Sequence, residues 1–113
     1  MEYEIRKGQT ALILLTYTVN GEDLANFAPD EIEFTFGGVQ YYLSDDSVYY
    51  DSEEGYYAVF LTQEATLALP MVASYQLKIL KDGQVGLSDI GYERIGGALS
   101  DVTLPIEGEV ELA

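Results

Sequence analysis

Apolar and polar residues alternate along short segments of this chain, and the first clear segment covers residues 10–19 (TALILLTYTV). Side chains of a β-strand point alternately to its two faces, so every second residue shares a face. One face of this predicted strand is wholly apolar and consists of Ile13, Leu15, Tyr17 and Val19. Leu12 and Leu14 lie on the opposite face, which we therefore expect to be partly covered as well.

A hairpin is predicted directly after the next polar stretch. The inward face of its first strand, residues 31–36 (EIEFTF), consists of Ile32, Phe34 and Phe36. Gly37-Gly38 follows, and two glycines accept the positive φ angles that a two-residue hairpin turn requires. Residues 39–43 (VQYYL) are expected to return as the second strand.

The remaining strand predictions follow the same rhythm of short apolar segments and polar turns. The predicted strands are residues 48–50 (VYY), 56–61 (YYAVFL), 74–80 (SYQLKIL) and 85–95 (VGLSDIGYERI). Asp82-Gly83 predicts a tight hairpin between the last two strands. Gly86 and Gly91 interrupt the final strand, where we expect a bulge or a sheet edge.

Two segments do not fit a strand. Residues 22–30 (EDLANFAPD) are too irregular for a strand and too short for a helix, and we expect a loop with Leu24 and Phe27 against the core. Residues 62–66 (TQEAT) resemble the start of a helix, because Thr62 is a good N-cap residue and the first turn is acidic. Pro70 prevents a longer helix, so we predict a single helical turn at a corner between two sheets.

The whole pattern favours an all-β fold. Short strands recur with turn residues at about every 8–12 positions, which is typical of β-sandwiches of roughly 100 residues. We therefore predict an immunoglobulin-like antiparallel β-sandwich of about seven strands, with one short helical turn near residues 62–66. Residues 1–113 are expected to form a single sandwich domain, with residues 105–113 as an exposed acidic tail.

Charge and composition exclude several classes of function. The 113 residues include 20 acidic and 5 basic side chains, and the formal net charge is −15. So few cations disfavour binding to nucleic acid phosphates or to anionic membranes. Cysteine and histidine are absent, which excludes thiolate chemistry, zinc centres of Cys and His, and Ser-His-Asp triads. We expect a protein that is not an enzyme and that binds no cofactor.

One dense group of carboxylates surrounds two predicted turns and consists of Asp45, Asp46, Asp51, Glu53 and Glu54. Oxygen ligands from loops suit Ca²⁺, but the spacing differs from that of the EF-hand calcium loop. Acidic residues are also common at solvated hairpin tips. The sequence leaves both interpretations open, and we assign no metal ligand from it.

Tyrosine is the most distinctive residue type, with ten in the chain and three doublets at Tyr41-Tyr42, Tyr49-Tyr50 and Tyr56-Tyr57. In a strand, each doublet directs one ring inward and one outward. If the three strands are neighbours, an outer face displays up to three tyrosines, and the candidate interface residues are Tyr42, Tyr49 and Tyr56. Tyrosine is favoured at protein interfaces. A cross-strand aromatic ladder that only stabilises the sheet is the alternative.

Two segments of the chain resemble a known group of proteins, namely residues 61–66 (LTQEAT) and 75–85 (YQLKILKDGQV). This combination resembles short virion proteins of phages and prophages of Gram-positive bacteria. Such proteins carry immunoglobulin-like sandwich modules in tails and baseplates, including the N-terminal domains of some upper baseplate proteins. The resemblance covers about residues 56–95. It implies a structural, non-enzymatic role and offers no catalytic or binding residues to transfer.

The function we expect is a structural or interaction module, a tail or baseplate component that acts by protein–protein contacts. Its partners would be copies of itself, in an oligomer, or other virion proteins. An acidic DNA mimic that binds a basic host protein is the alternative, because a charge of −15 is compatible with it. An adhesin-like surface module is a third interpretation. The N-terminus lacks a signal-peptide pattern, so we expect synthesis in the cytoplasm and a place in the virion after assembly.

Overall fold

The computed structural model of the protein describes residues 5–97 and 102–112. In chain order the strands are β1 (Ile5–Lys7), β2 (Ala11–Leu15), β3 (Thr18–Val19), β4 (Glu22–Asp23), β5 (Glu31–Phe36), β6 (Val39–Tyr42), β7 (Tyr49–Asp51), β8 (Tyr56–Leu61), β9 (Val72–Lys81), β10 (Gln84–Leu87), β11 (Gly91–Gly97), β12 (Val102–Ile106) and β13 (Glu109–Val110). Two short helices are α1 (Leu24–Phe27) and α2 (Gln63–Leu67). Neither has the length and apolar character that crossing a membrane requires.

Two main sheets form a sandwich-like, all-β fold, which confirms the fold class predicted from the sequence. The larger sheet has the order β1-β11-β9-β5-β6, with β10 also paired to β9. The smaller sheet has the order β12-β2-β8-β7, and β13-β3-β4 form a further three-stranded sheet. The neighbours β7-β8-β2 and β6-β5-β9 follow the strand order of an immunoglobulin-like sandwich. In an immunoglobulin-like sandwich the first strand of the chain lies at the sheet edge beside the second strand. Here β12 occupies that edge position beside β2.

The number and direction of the strands differ from the prediction. The described part of the chain contains thirteen strand segments rather than about seven, because two predicted strands are divided and β1, β4, β12 and β13 are additional. Three pairs are parallel, namely β1 with β11, β12 with β2 and β13 with β3. The prediction of a wholly antiparallel sandwich is therefore wrong at these pairs, each of which joins the start of the chain to its end.

The core lies between the two main sheets and is built from the inward positions of their strands. The positions that alternation predicted to be inward are almost fully buried, as at Ile13, Leu15, Tyr17, Val19, Ile32, Phe34, Phe36, Leu77 and Ile79. The rings of Phe34 and Phe36 stack with centroids 6.1 Å apart, and Tyr75 stacks on Phe36 at 6.2 Å. Aromatic pairs at these separations add to the stability that burial provides.

Both predicted two-residue hairpins are confirmed. Gly37 and Gly38 have φ angles of 61° and 86° and connect β5 to β6. Asp82 and Gly83 have φ angles of 50° and 79° and connect β9 to β10. Positive φ at both central residues defines the type I′ turn, whose twist matches that of the flanking strands.

The predicted strand at residues 10–19 is divided into β2 and β3. The C-terminal strands β12 and β13 run parallel to β2 and β3 and are hydrogen-bonded to them. The backbone N–H of Thr16 donates to the carbonyl of Ile106 at 3.0 Å, and that of Asn20 donates to the carbonyl of Val110 at 3.0 Å. On the second face of β2, Leu14 is 6% exposed and Leu12 is half-buried. The expected partial cover of that face is confirmed.

The prediction of an exposed acidic tail at residues 105–113 is wrong for the described residues up to 112. Ile106 and Val110 are buried, and Leu112 packs against the core. The intervening glutamates are exposed. Alternation of acidic and apolar residues here belongs to strands with one face on the core and one in solvent, so the carboxylates are exposed while the apolar side chains of Ile106 and Val110 are buried.

Helix α2 forms the predicted corner between the two main sheets. Thr62 caps it, since its hydroxyl accepts a hydrogen bond from the backbone N–H of Ala65 at 3.1 Å. Thr66 is fully buried, and its hydroxyl accepts from the N–H of Gly8 at 3.1 Å and donates to the carbonyl of Gln9 at 2.6 Å. The helical turn is thereby bonded to the segment that connects β1 to β2.

The predicted loop at residues 22–30 contains strand β4 and helical turn α1, which the sequence pattern did not indicate. Leu24 is buried and Phe27 packs against the core, as expected. The N–H of Ala28 donates to the carbonyl of Leu24 at 3.1 Å, and Ala28 has a φ of 51°. A left-handed residue at this position ends a helix, so α1 is limited to four residues.

The predicted strand at residues 85–95 is divided into β10 and β11, but the break lies at residues 88–90, and Gly86 and Gly91 themselves are paired to β9. Ser88 lies between the two pieces, and its hydroxyl accepts from the N–H of Leu77 at 2.9 Å and donates to the carbonyl of Asp89 at 2.9 Å. The N–H of Ser88 donates to the carbonyl of Leu77. Ser88 therefore keeps the interrupted strand bonded to β9.

Replacing Ile106 with alanine tests whether the C-terminal strands belong to the core. Ile106 is 2% exposed, and removing a buried isoleucine side chain leaves a cavity. We expect Ile106→Ala to lower the free energy of unfolding by about 2–5 kcal/mol in chemical denaturation. Glu111→Ala, an exposed neighbour, is the control and should change it by no more than about 0.5 kcal/mol. Equal effects of the two variants would contradict this structure.

Replacing Thr66 with valine tests the link between α2 and the segment before β2. Valine keeps the shape of the side chain but leaves the N–H of Gly8 and the carbonyl of Gln9 without the hydroxyl partner. We expect a loss of about 1–3 kcal/mol in the free energy of unfolding. Thr66→Ser retains the hydroxyl and should lose less. A larger loss for the serine variant would show that methyl packing, not hydrogen bonding, dominates at this position.

Candidate interaction surface

The two main sheets differ sharply in charge. Among the residues of β12, β2, β8 and β7, Asp51 is the single charged one. The five basic residues of the chain belong to strands of the larger sheet, at Arg6, Lys7, Lys78, Lys81 and Arg94. A chain with 20 acidic residues thus has one sheet almost free of charge.

The outer face of the smaller sheet is apolar, and its members follow from the strand register. Leu12 pairs with Phe60, and Leu14 pairs with Ala58, which in turn pairs with Tyr49. These positions alternate with the core residues of the same strands, so they face away from the core. We call this surface the neutral face and define it by Leu12, Leu14, Tyr49, Tyr56, Ala58 and Phe60. Asp51, the partner of Tyr56, lies on the same side at the end of β7 and is its one charged neighbour on these strands.

The side chains of the neutral face form a nearly continuous layer. Leu14 and Ala58, at its centre, are 6% and 0% exposed, so the side chains around them cover them almost completely. Phe60 is 50% exposed, and both tyrosines are half-buried. Beside Phe60, an open depression of about 450 Å³ is lined by Thr10, Thr62, Gln63 and Glu64. Phe60 is therefore the most exposed apolar side chain of the neutral face.

The structure brings together two of the three candidate interface tyrosines. Tyr49 and Tyr56 share the neutral face, because Tyr49 pairs with Ala58 and Tyr56 pairs with Asp51. Tyr42 pairs with Glu33 of β5 and lies on the outer face of the larger sheet. The expectation that three neighbouring strands share one tyrosine face is wrong, because residues 43–48 carry the chain from the larger sheet to the smaller one.

The alternative interpretation, an aromatic ladder, applies to the other members of these doublets. Tyr50 and Tyr57 are cross-strand partners whose rings meet edge to face, with centroids 5.7 Å apart. Burial and the neighbouring Tyr50 raise the pKa of Tyr57. Tyr41 packs against the core. One ring of the Tyr49-Tyr50 doublet thus stabilises the sheet, and the other contributes to the neutral face.

Tyr42 lies in a mixed environment that differs from the neutral face. An open depression of about 310 Å³ around it is lined by Glu31, Glu33, Lys78, Ile79, Leu80 and Val85. Partial desolvation and then the charge of Glu33 raise the pKa of Tyr42. Charges of both signs surround this depression, so a partner would have to match them individually.

Two carboxylates of the acidic group at residues 45–54 accept hydrogen bonds from backbone N–H groups in the turns, as the solvated-turn interpretation expects. The carboxylate of Asp45 accepts a hydrogen bond from the N–H of Ser47 at 2.9 Å, and that of Asp51 accepts from the N–H groups of Glu53 and Glu54 at 3.0 and 3.2 Å. Hydrogen bonds from Ser47 lower the pKa of Asp45. Nowhere among the residues that the structure describes do three acidic side chains come close enough to hold a metal ion.

A smaller depression lies at the junction of β3, β9 and the C-terminal segment. It has a volume of about 170 Å³ and is lined by Tyr17, Tyr75, Ser88, Asp89, Ile90, Gly91, Glu107, Gly108 and Glu109. Tyr17 is 2% exposed, and among residues 5–97 and 102–112 its hydroxyl makes no well-formed hydrogen bond. Burial raises the pKa of Tyr17 to about 12, and the nearby hydroxyl of Ser88, which is close enough to interact with it but not in good hydrogen-bond geometry, opposes this rise.

The sequence predicted part of the neutral face and missed the rest. Phe60 was assigned to a strand but not to a surface, although the runs ALILL and YYAVFL are apolar on both faces. Such runs are typical of strands that are covered on both sides.

Comparisons with known protein families, with curated proteins and with solved structures found no match for this chain.

The buried hydroxyl of Tyr17 predicts a specific loss of stability at high pH. Its pKa of about 12 in the folded protein exceeds the usual value of about 10, so the folded state holds this proton more tightly. The resulting stability is complete below pH 10 and is lost as the pH rises towards 12, by about 2–3 kcal/mol.

Tyr17→Phe removes this titration and a buried hydroxyl without a well-formed hydrogen bond. We expect the variant to be at least as stable as the unmodified protein at pH 7. Between pH 10 and 12 its free energy of unfolding should fall less steeply than that of the unmodified protein, as measured by urea denaturation at each pH. Parallel pH curves for the two proteins would show that Tyr17 titrates equally in the folded and unfolded states.

Proposed function

We propose that this protein is a non-enzymatic structural module that acts by protein–protein contacts through the neutral face. The observation that supports this function is the near absence of charge on four adjacent strands in a chain with a net charge of −15. Outer faces of antiparallel sheets are usually polar where they remain in water. An apolar, aromatic outer face is typical of a surface that another protein covers.

The composition of the neutral face resembles that of interface centres. Charged residues are depleted at such centres, and tyrosine and phenylalanine are enriched. Tyr49 and Tyr56 combine a rigid apolar ring with a hydroxyl that can hydrogen-bond to a partner. Phe60, at 50% exposure, offers the apolar area whose burial would contribute most to association.

The partner we propose for the neutral face is a second copy of this chain. Two molecules with a charge of −15 repel each other where their acidic surfaces meet. The neutral face reduces this repulsion at the contact, because Asp51 is the one carboxylate on its strands. A two-fold arrangement would place the same residues on both sides, so apolar side chains would meet apolar side chains.

The size of the neutral face limits the strength of this contact. Four strands spaced about 4.8 Å apart and about five residues long cover roughly 300 Å². Stable interfaces bury about 800 Å² on each partner. The contact between two copies is therefore weak, and it gains strength only where several such contacts are made together.

Weak contacts that act together are suited to repeated assemblies. The resemblance of residues 56–95 to virion proteins of phages and prophages supports the same kind of role. We therefore propose that the protein is a component of a phage or prophage tail or baseplate, in which many copies or several neighbouring proteins meet.

Replacing Phe60 with aspartate tests the neutral face. We expect the unmodified protein to self-associate weakly, with an average mass by light scattering that rises with protein concentration. High salt should strengthen this association, because it screens the repulsion between acidic surfaces. A carboxylate at the contact should weaken association at least about tenfold, since its desolvation costs more than about 1.4 kcal/mol.

Tyr92→Asp is the matched control, because Tyr92 is 68% exposed on β11 of the larger sheet. It should leave self-association unchanged, and both variants should keep the unfolding transition of the unmodified protein. A monomer at every concentration and salt would overturn pairing through the neutral face. Salt-sensitive binding of that monomer to a basic protein would favour the acidic DNA mimic instead.

A further inference from the structure

The turn between β3 and β4 contains the one Asn-Gly pair of the sequence, Asn20-Gly21. Both residues are exposed, and their φ angles of 49° and 85° give the left-handed conformation of a type I′ turn. A Cβ atom on Gly21 would meet no atom of the described residues within 4 Å. Neither a side chain of its own nor a neighbouring segment therefore crowds Gly21.

The side chain of Asn20 bonds both main-chain groups of one residue in the C-terminal segment. Its Oδ1 accepts a hydrogen bond from the N–H of Leu112 at 3.0 Å, and its Nδ2 donates a longer one to the carbonyl of Leu112 at 3.5 Å. The N–H of Asn20 donates to the carbonyl of Val110 at 3.0 Å. Asn20 thus continues the pairing between β3 and the C-terminal segment beyond the last residue of β13.

The segment that Asn20 holds is part of the packed structure. Val110 is buried, and Leu112 packs against the core. A Cβ atom on Gly86 would lie 2.5 Å from Cδ2 of Leu112 and 2.7 Å from Cγ1 of Val110, so β10 lies directly against both side chains. A chemical change at Asn20 would therefore affect residues that the core contacts.

We propose that Asn20 is a site of spontaneous covalent modification, at which the side-chain amide becomes a carboxylate by way of a succinimide ring. The nitrogen of Gly21 forms a bond to Cγ of Asn20, the bond between Cγ and Nδ2 breaks, and Nδ2 leaves as ammonia with the proton of the Gly21 N–H. Water then hydrolyses the ring. Hydrolysis at Cγ gives aspartate, whereas hydrolysis at the main-chain carbonyl gives isoaspartate, in which the main chain passes through Cβ and Cγ.

The second asparagine of the chain, Asn26, shows why the reaction is assigned to Asn20. Both side chains are exposed, so access to water does not distinguish them. Asn26 lies in helix α1 and precedes Phe27, which packs against the core. Glycine has no side chain to hinder its nitrogen, and its main chain reaches conformations closed to other residues. Ring closure is therefore much easier at Asn20.

The contact with Leu112 restrains the reaction in the folded protein. An intramolecular reaction is fast only when its two groups are held in contact and correctly oriented. The amide of Asn20 faces Leu112, and it has to leave this partner before Cγ meets the nitrogen of Gly21. Modification thus proceeds through local opening of the turn. In isoaspartate Cγ belongs to the main chain, so the side-chain amide that bonded Leu112 no longer exists.

Incubation of the folded, full-length protein at mildly alkaline pH tests the site, because the nitrogen of Gly21 attacks after losing its proton. Mass spectrometry after proteolysis would measure the conversion of each asparagine, and isoaspartyl methyltransferase would label the isoaspartate. We expect conversion at Asn20 to be at least about tenfold faster than at Asn26. Equal rates at the two asparagines, or conversion of Asn20 only after unfolding in urea, would overturn the site.

Leu112→Pro and Leu112→Ala form a matched pair of variants that tests the restraint. Both lose the packing of the leucine side chain, but only proline also removes the N–H that donates to Asn20. Proline should accelerate conversion of Asn20 about twofold to tenfold relative to alanine, which corresponds to the loss of one hydrogen bond. Conversion of Asn26 should be equal in the two variants. Equal rates at Asn20 would overturn the restraint by Leu112.

Hydrogen exchange of the modified protein tests the consequence for the C-terminal segment. The isoaspartate form carries one more negative charge and can be separated by ion exchange. Its Leu112 amide should exchange at least about twofold faster than in the unmodified protein, because its acceptor is lost. Unchanged exchange would overturn the release of this residue. Phe60→Asp should leave the rate at Asn20 unchanged, since Asn20 lies outside the strands of the neutral face, and this result separates the site from the proposed function.

Discussion

The parallel hydrogen bonding between the last strands of the chain and its first strands is the interaction on which the rest of the structure depends. Ile5 pairs with Ile95, Ile13 with Leu104, and each subsequent pair keeps nearly the same separation in sequence. This pairing supplies an edge strand to each main sheet. It also buries apolar residues of the C-terminal segment and brings Glu107 and Glu109 to the depression beside Tyr17.

Charge is distributed between the two sheets in a way that the core does not require. Both sheets bury similar apolar residues inward, but their outer faces differ. Lys78 and Arg94 are exposed on the larger sheet, whereas the smaller sheet presents rings and aliphatic side chains. The smaller sheet is therefore distinguished by its lack of charge and not by its apolar exposure, since Leu80, Val85 and Tyr92 of the larger sheet are exposed as well.

Local chemistry explains which parts of the fold were predictable. The Gly37-Gly38 and Asp82-Gly83 hairpins depend on a few adjacent residues, and inward positions depend on alternation along one strand. Both follow from the sequence because no distant partner is involved. The Thr62 cap of α2 follows for the same reason.

Pairing between distant strands was not predictable from one sequence. The pattern of residues 105–112 resembled a tail, because the partner of Ile106 lies about 90 residues earlier in the chain. The candidate interface was also predicted only in part, because its residues come together through pairing between strands. Tyr42 was grouped with Tyr49 because the two are close in sequence, but the connection between them changes sheet. The neutral face required the register of β2, β8 and β7, which places Leu14, Ala58 and Tyr49 side by side.

The parallel pairing of the two ends also determines how the domain responds to mechanical tension. A pull that enters the chain before β1 and leaves it after β13 acts along these strands in opposite directions. Parallel neighbours then slide past each other, so their hydrogen bonds are loaded together in shear. They cannot open one at a time, as the bonds of a hairpin do when its two ends are pulled apart. The strands that close the sandwich are therefore also those that carry load from one end of the module to the other.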